Sequence, residues 1–319
     1  MREKSVPALG AALLALATLA PAGAAEPPAA SERSTPARLA ARSLLLDVAD
    51  RDGLAVAVGE RGHILVSRDG GASWTQAEAP TRALLTGVFL HDSRLGWAVG
   101  HDETILRTRD GGATWQRVRH APEEERPLLD VWFRDERQGF AIGAYGLLLA
   151  TGDGGDTWES RTVVAGDDTH LNAIAEADGA LILAGEAGSL YRSDDGGESW
   201  KALPSPYEGS FFGLLSLSDG GLLAFGLRGH LFRSEDRGTT WTGVASGTEA
   251  TLMTGRELGG GRVVVAGLAG VLLFSEDAGR TFRAREQEDR KASLAILPGG
   301  AGGIVLLGEG GVRPIEKPF

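Results

Sequence analysis

The sequence contains no cysteine, no run of lysine or arginine, and only six histidines in 319 residues. Without cysteine, an exported chain tolerates an oxidising compartment and needs no disulfide pairing. The formal net charge of −11, with no clustered basic stretch, argues against a nucleic-acid or other polyphosphate partner. The histidines show no HxH or HExxH spacing, so we expect no metal centre and no other cofactor.

The N-terminal stretch MREKSVPALGAALLALATLAPAGAAEPPAA is typical of a secretory signal peptide. It begins with Arg2 and Lys4, continues with an apolar run over 6–19, and ends in small residues over 22–25. We predict a cleaved signal peptide over 1–25, a flexible lead-in rich in Pro, Ser and Ala over 26–38, and a periplasmic location. An uncleaved membrane anchor is the alternative, but the apolar run is short for a spanning helix and contains Pro7.

Glycine is abundant, with 47 residues, and much of it belongs to an octet that occurs six times. The first copy is SRDGGASW (67–74) and the last is SEDAGRTF (275–282). The aspartates of the octets lie 41 to 43 residues apart, a period that indicates stacked supersecondary units. These aspartates are Asp69, Asp110, Asp153, Asp195, Asp236 and Asp277. The aromatic residues that close the octets are Trp74, Trp115, Trp158, Trp200, Trp241 and Phe282.

A second marker, a glycine that ends a short apolar run, counts seven units: Gly59, Gly100, Gly143, Gly185, Gly226, Gly267 and Gly308. Each unit has the pattern of four short strands, which in the second unit cover 84–90, 96–100, 104–108 and 114–118. A period of about 42 residues with four strands predicts an all-β, seven-bladed β-propeller over 39–319. We expect residues 291–319 to supply three strands of the last blade and residues around 39–46 its outer strand, so that the two chain ends share this blade.

The octet lies between the third and fourth strands and has the composition of a tight turn. Its aspartate can accept hydrogen bonds from backbone N–H groups, and the Ser or Thr two residues earlier offers a hydroxyl to the same turn. The residue after the aspartate is Gly in four copies but Arg237 and Ala278 in the last two, whereas the next residue is always Gly. We therefore predict a positive φ only at the second of these positions.

The closing aromatic residue of each octet is expected to be an apolar wedge between adjacent blades. Six copies of one motif at one place in the repeat predict a structural role, because a catalytic site needs different residues converging from different blades. Binding of a metal or a substrate by the aspartates is the alternative.

The pattern S/T-x-D-x-G-x-S/T-W resembles the Asp-box, or bacterial neuraminidase (BNR) repeat. The longer unit GLAVAVGERGHILVSRDGGASWTQA (53–77) is similar to that of the photosystem II stability/assembly factor family, and the similarity extends over roughly 44–312. The resemblance implies a seven-bladed propeller without catalysis, which acts in photosynthesis by holding a membrane-protein intermediate during assembly. The family also resembles many proteobacterial chains, some encoded beside RND-type exporters, and we place this sequence in that branch.

Photosynthetic members of this family carry arginines in the strand that leads into the box. Arg107, Arg192 and Arg233 match that position. The corresponding residues of three other units are Val66, Ala150 and Phe274. The continuous arginine patch of the family is therefore interrupted in this sequence.

Two alternative functions use the same scaffold. A sialidase-type glycoside hydrolase needs three arginines for a carboxylate, a tyrosine nucleophile and an acid/base aspartate. The chain has only Tyr145, Tyr191 and Tyr207, and it lacks an Arg-Ile-Pro element before the first box. A glycan-binding propeller without catalysis is the second alternative. We expect the chain not to be an enzyme.

The remaining candidate site is a surface, because the turns between second and third strands and the connections between blades share one face. We predict that this face docks a membrane protein complex or its assembly intermediate, and that the chain itself is monomeric. The candidate contact residues are Arg61, His101, Tyr145, Tyr207, Phe211 and Arg228. Polar residues of the innermost strands lie near the axis, where bonding to backbone groups or water is the simpler interpretation. They are Asp47, Thr86, Asp130, Asn172 and Thr254.

Overall fold

The strands of the protein form seven separate sheets in a computed structural model that describes residues 29–316 and 318–319. The innermost strands contact one another in a ring, which closes from the seventh sheet back to the first. The chain is therefore an all-β, seven-bladed β-propeller, as the sequence predicts. The predicted signal peptide, residues 1–25, lies outside the described residues.

In every blade the strands follow chain order from the axis outward. Blade 1 contains β1 (Leu45–Arg51), β2 (Leu54–Gly59), β3 (Ile64–Ser67) and β4 (Thr75–Ala77). Blade 2 contains β5 (Leu85–Leu90), β6 (Gly96–Gly100), β7 (Ile105–Thr108) and β8 (Gln116–Arg119). Blade 3 contains β9 (Leu128–Phe133), β10 (Gly139–Gly143), β11 (Leu148–Thr151) and β12 (Glu159–Arg161). Blade 4 contains β13 (Leu171–Ala177), β14 (Ala180–Gly185), β15 (Leu190–Ser193) and β16 (Lys201–Ala202).

The last three blades repeat this arrangement. Blade 5 contains β17 (Phe211–Ser216), β18 (Leu222–Gly226), β19 (Leu231–Ser234) and β20 (Thr242–Val244). Blade 6 contains β21 (Leu252–Gly259), β22 (Arg262–Gly267), β23 (Val271–Ser275) and β24 (Arg283–Glu286). Blade 7 contains β25 (Ser293–Pro298), β26 (Ile304–Gly308) and β27 (Gly311–Ile315). Short 3-10 helices cover Ala30–Glu32, Ala40–Arg42, Glu60–Gly62, Pro122–Glu124, Glu186–Gly188, Leu227–Gly229, Leu268–Gly270 and Gly300–Gly302.

The hydrophobic core lies between the blades rather than inside any one of them. The second strand β2 is apolar throughout and is buried along its whole length, because both of its faces pack against a neighbouring blade. One cluster, for example, joins Leu54 and Val56 of blade 1 to Leu85 and Ala98 of blade 2. Since each cluster needs two neighbouring blades, the blades stabilise one another around the ring.

All seven innermost strands contain a β-bulge at the same place, one residue after their first paired residue. The bulge turns one half-buried side chain of each blade toward the axis. We name these seven residues the mouth ring: Leu46, Thr86, Leu129, Asn172, Phe212, Met253 and Leu294.

Blade 7 is completed differently from the prediction. Residues 291–319 do supply its three strands, but residues 39–46 add no fourth strand in the part of the chain that the structure describes. The 3-10 helix Ala40–Arg42 lies against β27 instead, so close that a Cβ on Gly311 would fall 2.0 Å from the Ala41 carbonyl oxygen. The chain ends therefore meet at this blade through a turn, because residue 45 already starts β1.

Part of the predicted lead-in is bound to blade 1. The Ser34 N–H donates to the Ala79 carbonyl at 2.9 Å, and the Ala79 N–H donates to Ser34 Oγ at 2.8 Å. Gln76 of β4 accepts from the Ala37 N–H and donates to the Thr35 carbonyl. These polar contacts hold residues 34–37 against the outer strand of blade 1. The flexible lead-in over 26–38 and the predicted domain boundaries stay predictions.

Candidate functional site

The propeller has two faces with different contents. We call one the box face, because the Asp-box turns lie there beside the turns between first and second strands; the Gly111 N–H, for example, donates to the Arg94 carbonyl at 2.9 Å. The opposite one is the turn face, which holds the turns between second and third strands and the connections between blades. There the Glu60 N–H donates to the Leu44 carbonyl at 3.1 Å.

The second Asp-box shows how each octet is closed. Asp110 Oδ1 accepts from the Thr108 hydroxyl and from the Thr114 N–H, both at 2.9 Å, and Oδ2 accepts from the Thr114 hydroxyl at 2.6 Å. The Gly112 N–H donates to Thr108 Oγ1 at 2.9 Å. The same set of hydrogen bonds recurs at Asp69, Asp153, Asp195, Asp236 and Asp277.

These hydrogen bonds stabilise the ionised form of the box aspartates. Donation from Ser73 and Ser67 lowers the pKa of Asp69 to about 2. At Asp277 partial burial opposes this effect, but donors on Thr281 and Ser275 outweigh it and hold the pKa at about 2. The pKa values of the other four box aspartates are lowered as well. Their carboxylates are thus committed to the turn that they close.

The prediction of a positive φ at only one box position is wrong. Arg237 has φ of 59° and Ala278 of 57°, so both positions after the aspartate are left-handed. At the first position a Cβ on Gly70 would meet nothing within 4 Å and bear only the backbone strain, whereas on Gly111 it would lie 2.6 Å from the Ser93 carbonyl oxygen. At the second, a Cβ would also enter the preceding blade; on Gly197 it would lie 2.2 Å from Phe140 Cζ. Glycine is therefore required at the second position by packing as well as by φ.

The closing aromatics lie between blades. The ring of Trp200 in blade 4 meets Phe140 of blade 3 edge-on, with centroids 6.4 Å apart. Trp115 belongs to the cluster between blades 1 and 2, and Phe282 packs on the cluster between blades 5 and 6. Trp74, Trp158 and Trp241 pack against such clusters in the same way. Each ring therefore adds apolar contact across a blade boundary.

The three arginines at the family position are not exposed. Arg107 donates to the Gly154 carbonyl at 2.9 Å, which lies in the box of the next blade, and it pairs with Asp156 at 2.7 Å. Arg192 likewise donates to the Arg237 carbonyl of the next box at 2.8 Å. Arg233 pairs with Asp219 at 2.8 Å. Their side chains are between 5% and 12% exposed, so they fasten turns instead of forming an open basic patch.

Two further arginines also bind the box of the next blade. The comparison of the repeat units does not find them. Arg68 donates to the Gly111 carbonyl at 3.0 Å, and Arg161 donates to the Gly197 carbonyl at 3.3 Å. They approach the next box from outside the third strand, so a search restricted to that strand position does not find them.

The turn face repeats its backbone but varies its side chains. The second residue of each turn is left-handed in all seven blades. We call these residues the tip ring: Arg61, Asp102, Tyr145, Ala187, Arg228, Ala269 and Gly310. Three of the predicted contact residues, Arg61, Tyr145 and Arg228, belong to this ring, are exposed, and make no side-chain hydrogen bond among the described residues. His101, next to the ring, is exposed too.

Two predicted contact residues are placed differently. Phe211 is fully buried, because it occupies the first paired position of β17 and points into the core between blades 4 and 5. It is therefore not available to a partner. Tyr207 is half-buried, and its ring stacks on His230 with centroids 4.0 Å apart. The neighbouring Phe212 is the residue that faces the axis.

Blade 2 departs from its siblings on the turn face. After the left-handed tip, the next residue is Gly in the other six blades, whereas blade 2 has Glu103 with φ of 46°. The Glu103 side chain is completely buried and pairs with Arg119 and with Arg126, the latter at 2.7 Å. These ion pairs hold the loop 120–127 against the blade.

A cavity of about 390 Å³ lies on the axis and is lined by the mouth ring and the residues that follow it. Asp47 Oδ2 accepts from the Val88 N–H of the next blade at 2.8 Å, and Asp130 Oδ2 accepts from the Ile174 N–H of its next blade at 3.0 Å. Thr86 and Asn172 also bond across a blade boundary, to the carbonyls of Leu128 and Phe211, and Thr254 lines the same cavity. As expected, the first four of these polar groups bond to backbone partners near the axis.

The two axial aspartates differ from the box aspartates in their protonation. Burial raises the pKa of Asp47 to about 6, against the opposing effect of its hydrogen bonds. Burial likewise raises the pKa of Asp130 to about 7, and the charge of Asp47 adds to the increase. The same residue type is therefore strongly acidic on the box face and weakly acidic on the axis.

Groups with a catalytic or metal-binding composition are explained by turns and packing. Tyr191 is 3% exposed, and its hydroxyl donates to Asp167 within the turn face. His91, Asp92 and Glu136 bring ligand atoms within 4.8 Å of one another on box-face turns, where only Glu136 is exposed. Asp92 Oδ1, however, already accepts from two backbone N–H groups, as its counterpart Asp135 does in the next blade. Across the described residues, no helix is long and apolar enough to cross a membrane.

The comparisons with known proteins agree with this architecture. The structure of YCF48 bound to a D1 peptide matches with a TM-score of 0.69 and 18% identity, over 86% of this chain and 93% of that chain. YCF48 from Cyanidioschyzon merolae matches with a TM-score of 0.68 and 18% identity, over 88% and 97%. The WD40 propeller domain of Doa1 matches with a TM-score of 0.67 and 12% identity, over 89% and 95%. At these identities the matches establish the fold.

The sequence itself establishes the family. No curated protein matches the chain. The model of the family described as photosynthesis system II assembly factor YCF48 matches residues 28–124 and 119–260, which is more than half of the chain. The chain therefore belongs to the YCF48 photosynthesis system II assembly factor family, as the Asp-box repeats and the seven blades indicate.

Proposed function

We propose that the protein is a non-catalytic, protein-binding propeller of the periplasm, which acts as an assembly or accessory factor for a membrane protein complex. Its family consists of assembly factors, and one solved relative is YCF48 bound to a D1 peptide. The observation that carries the proposal is the contrast between the faces, together with this family membership. On the box face the repeated side chains are engaged in the scaffold, whereas Arg61 and Arg228 of the turn face are exposed and make no side-chain hydrogen bond or ion pair among the described residues.

The turn face has the chemistry of an interface. Tyr145 is 59% exposed and rests edge-on against His170, with ring centroids 5.0 Å apart. Arg61 and Arg228 stand at the tips of blades 1 and 5, and neither forms an ion pair among the described residues. Tyrosine and arginine supply most of the binding energy in many interfaces, because they combine large contact area with directed hydrogen bonds.

The proposed class of partner is inferred from the family, and a pull-down can identify the partner itself. We propose a membrane protein complex or its assembly intermediate, either a photosystem or, in the proteobacterial branch in which we place the chain, an RND-type exporter. The test is a cross-linked pull-down of the tagged chain from its own envelope fraction, analysed by mass spectrometry against an untagged control. Enrichment of one membrane complex is expected. A blank under mild cross-linking, repeated with a second tag position, contradicts the proposal.

A matched pair of charge reversals assigns the capture to a face. Arg61→Glu with Arg228→Glu changes two exposed arginines of the turn face. Arg94→Glu with Arg109→Glu makes the same change in charge on the box face, where both side chains are exposed and make no hydrogen bond among the described residues. We expect the first pair to reduce capture of the complex about tenfold and the second to leave it unchanged. Equal capture by both variants removes the turn face from consideration.

A further inference from the structure

The mouth of the axial cavity combines an apolar rim with an acidic interior. Five of the seven mouth-ring residues are apolar, and all seven are half-buried. The ring follows the first paired residue of each innermost strand, opposite the glycine that enters the turn, so it opens on the turn face. One residue further along β1 and β9 stand Asp47 and Asp130.

The far end of the cavity is crossed by an ion pair. Arg256 of blade 6 lines the cavity and pairs with Asp50 of blade 1, which lies near the opposite end of β1. Blade 7 lies between these two blades in the ring, so the ion pair passes across the axial end of blade 7. Asp50 itself does not line the cavity, and neither do Glu176 and Ser216 at the corresponding depth of other blades. The space is thus a pocket that is entered from the turn face.

The charges of this pocket are not balanced. Its one lining arginine, Arg256, is paired with Asp50, and neither Asp47 nor Asp130 forms an ion pair among the described residues. Each of these carboxylates accepts two backbone N–H groups, and a carboxylate has about four acceptor positions, so each retains capacity for another donor. Burial raises the pKa of both carboxyls, and the charge of Arg256, which lowers the pKa of Asp47, does not offset this effect.

We propose that the mouth ring and the two axial aspartates form a binding pocket for a lysine or arginine side chain, carried on an extended, apolar segment of the partner protein. The aliphatic stem of such a side chain fits the apolar rim, and its charged head reaches the carboxylates beyond it. Apolar neighbours of the basic residue would rest on Phe212 and Met253 of the ring. The pocket therefore selects a cation with an apolar stem and excludes an acidic side chain.

This inference rests on the proposed function and specifies where and by what chemistry the partner is held. A free small amine makes no contact with the apolar mouth ring, whereas a lysine side chain of a peptide contacts both the mouth ring and the axial aspartates. The negative net charge of the chain, −11, favours approach of a basic segment as well.

Met253 provides a direct probe of the pocket. It is one of two methionines in the sequence and the one within the described residues, so methyl-labelled methionine reports on the mouth ring. The mature chain is titrated with the peptide acetyl-Gly-Leu-Lys-Leu-Gly-amide and with two analogues in which Glu or norleucine replaces Lys. We expect a saturable shift of the Met253 methyl signal with the Lys peptide and affinity at least about tenfold weaker for both analogues.

Two variants test the carboxylates. Asp47→Asn with Asp130→Asn is expected to weaken binding of the Lys peptide about tenfold. Asp168→Asn, an exposed acid of the turn face outside the pocket, is the control and keeps wild-type affinity. The norleucine comparison uses wild-type protein, so it decides the matter even if the double variant is unstable. Equal binding of the Lys and norleucine peptides, or no Met253 shift with the Lys peptide, overturns the inference.

The outcome is separable from that of the proposed function. If the complex is captured from the envelope fraction while the Met253 signal ignores the Lys peptide, the protein binds its partner by another part of the turn face. If the Lys peptide binds and no complex is captured, the result supports the proposed pocket and contradicts the proposed assembly role.

Discussion

Both faces of the propeller repeat one backbone turn from blade to blade, six times on the box face and seven times on the turn face, but they use their side chains differently. On the box face, Asp110 and its five counterparts make one repeated set of hydrogen bonds. On the turn face, the tip of every blade is left-handed, yet the side chains there range from Arg61 through Tyr145 to Ala269. Repeated side chains thus build the scaffold, and varied side chains on a repeated backbone offer a surface for recognition.

The acids of the box face and of the axis are expected to respond in opposite directions to pH. Asp47 and Asp130 have folded-state pKa values of about 6 and about 7, above the unfolded value near 3.8. Because the folded state holds these protons more tightly, the free energy of unfolding falls as pH rises from about 4 through 7. We expect a fall on the order of 4 kcal/mol between pH 5 and pH 8, measured by denaturant unfolding.

Below this range the box aspartates reverse the trend. The folded-state pKa of Asp69 and of Asp277 is about 2, below the unfolded value, so their stabilisation is lost as pH falls from about 4 toward 2. Stability should therefore be greatest between about pH 4 and 5. We expect Asp130→Asn to remove the larger part of the decrease in the free energy of unfolding above pH 6. This holds whether or not the variant is less stable overall. An unchanged slope in that variant would show that the axial acids titrate normally.

The difference between the two box positions can be tested within one turn. A Cβ on Gly71 would lie 2.8 Å from Leu297 Cδ2 of the preceding blade, at φ of 85°. On Gly70 a Cβ would meet nothing within 4 Å, at φ of 70°. We expect Gly71→Ala to lower the free energy of unfolding by about 3 kcal/mol and Gly70→Ala by about 1 kcal/mol, measured by thermal and denaturant unfolding. Equal losses would mean that φ alone decides both positions.

Much of the architecture could be predicted because the repeat makes it visible. The glycine that pairs with the start of each innermost strand, such as Gly59, counts the seven blades correctly. The Asp-box contacts follow from residue type, since an aspartate beside a hydroxyl residue closes its own turn. The face that holds the tips follows from the order of the strands.

What could not be predicted depends on contacts between units. Arginine gives no sequence signal of a left-handed backbone, so the φ of Arg237 could not be predicted. The burial of Glu103 depends on arginines more than fifteen residues away. The mouth ring results from a β-bulge in each innermost strand, and no residue type in the sequence predicts this shift of register. For Phe211 a signal existed, because Leu45, Leu85, Leu128, Leu171 and Leu252 occupy its repeat position. An apolar residue at the same place in six blades indicates a core position.

The smallest expected effect separates the aspartate of a box from its exposed neighbour. Asp110 accepts three hydrogen bonds within its turn, whereas the exposed side chain of Arg109 makes none among the described residues. Asp110→Ala should lower the free energy of unfolding by about 2 kcal/mol, because the Thr114 N–H and two hydroxyls lose their acceptor, while Arg109→Ala should change it by less than about 0.5 kcal/mol. Since the box lies on the face opposite the pocket, the Met253 response to the Lys peptide should stay unchanged in both variants at a temperature where they are folded. A weakened response in Asp110→Ala alone would mean that the two faces are coupled, and that the scaffold takes part in recognition.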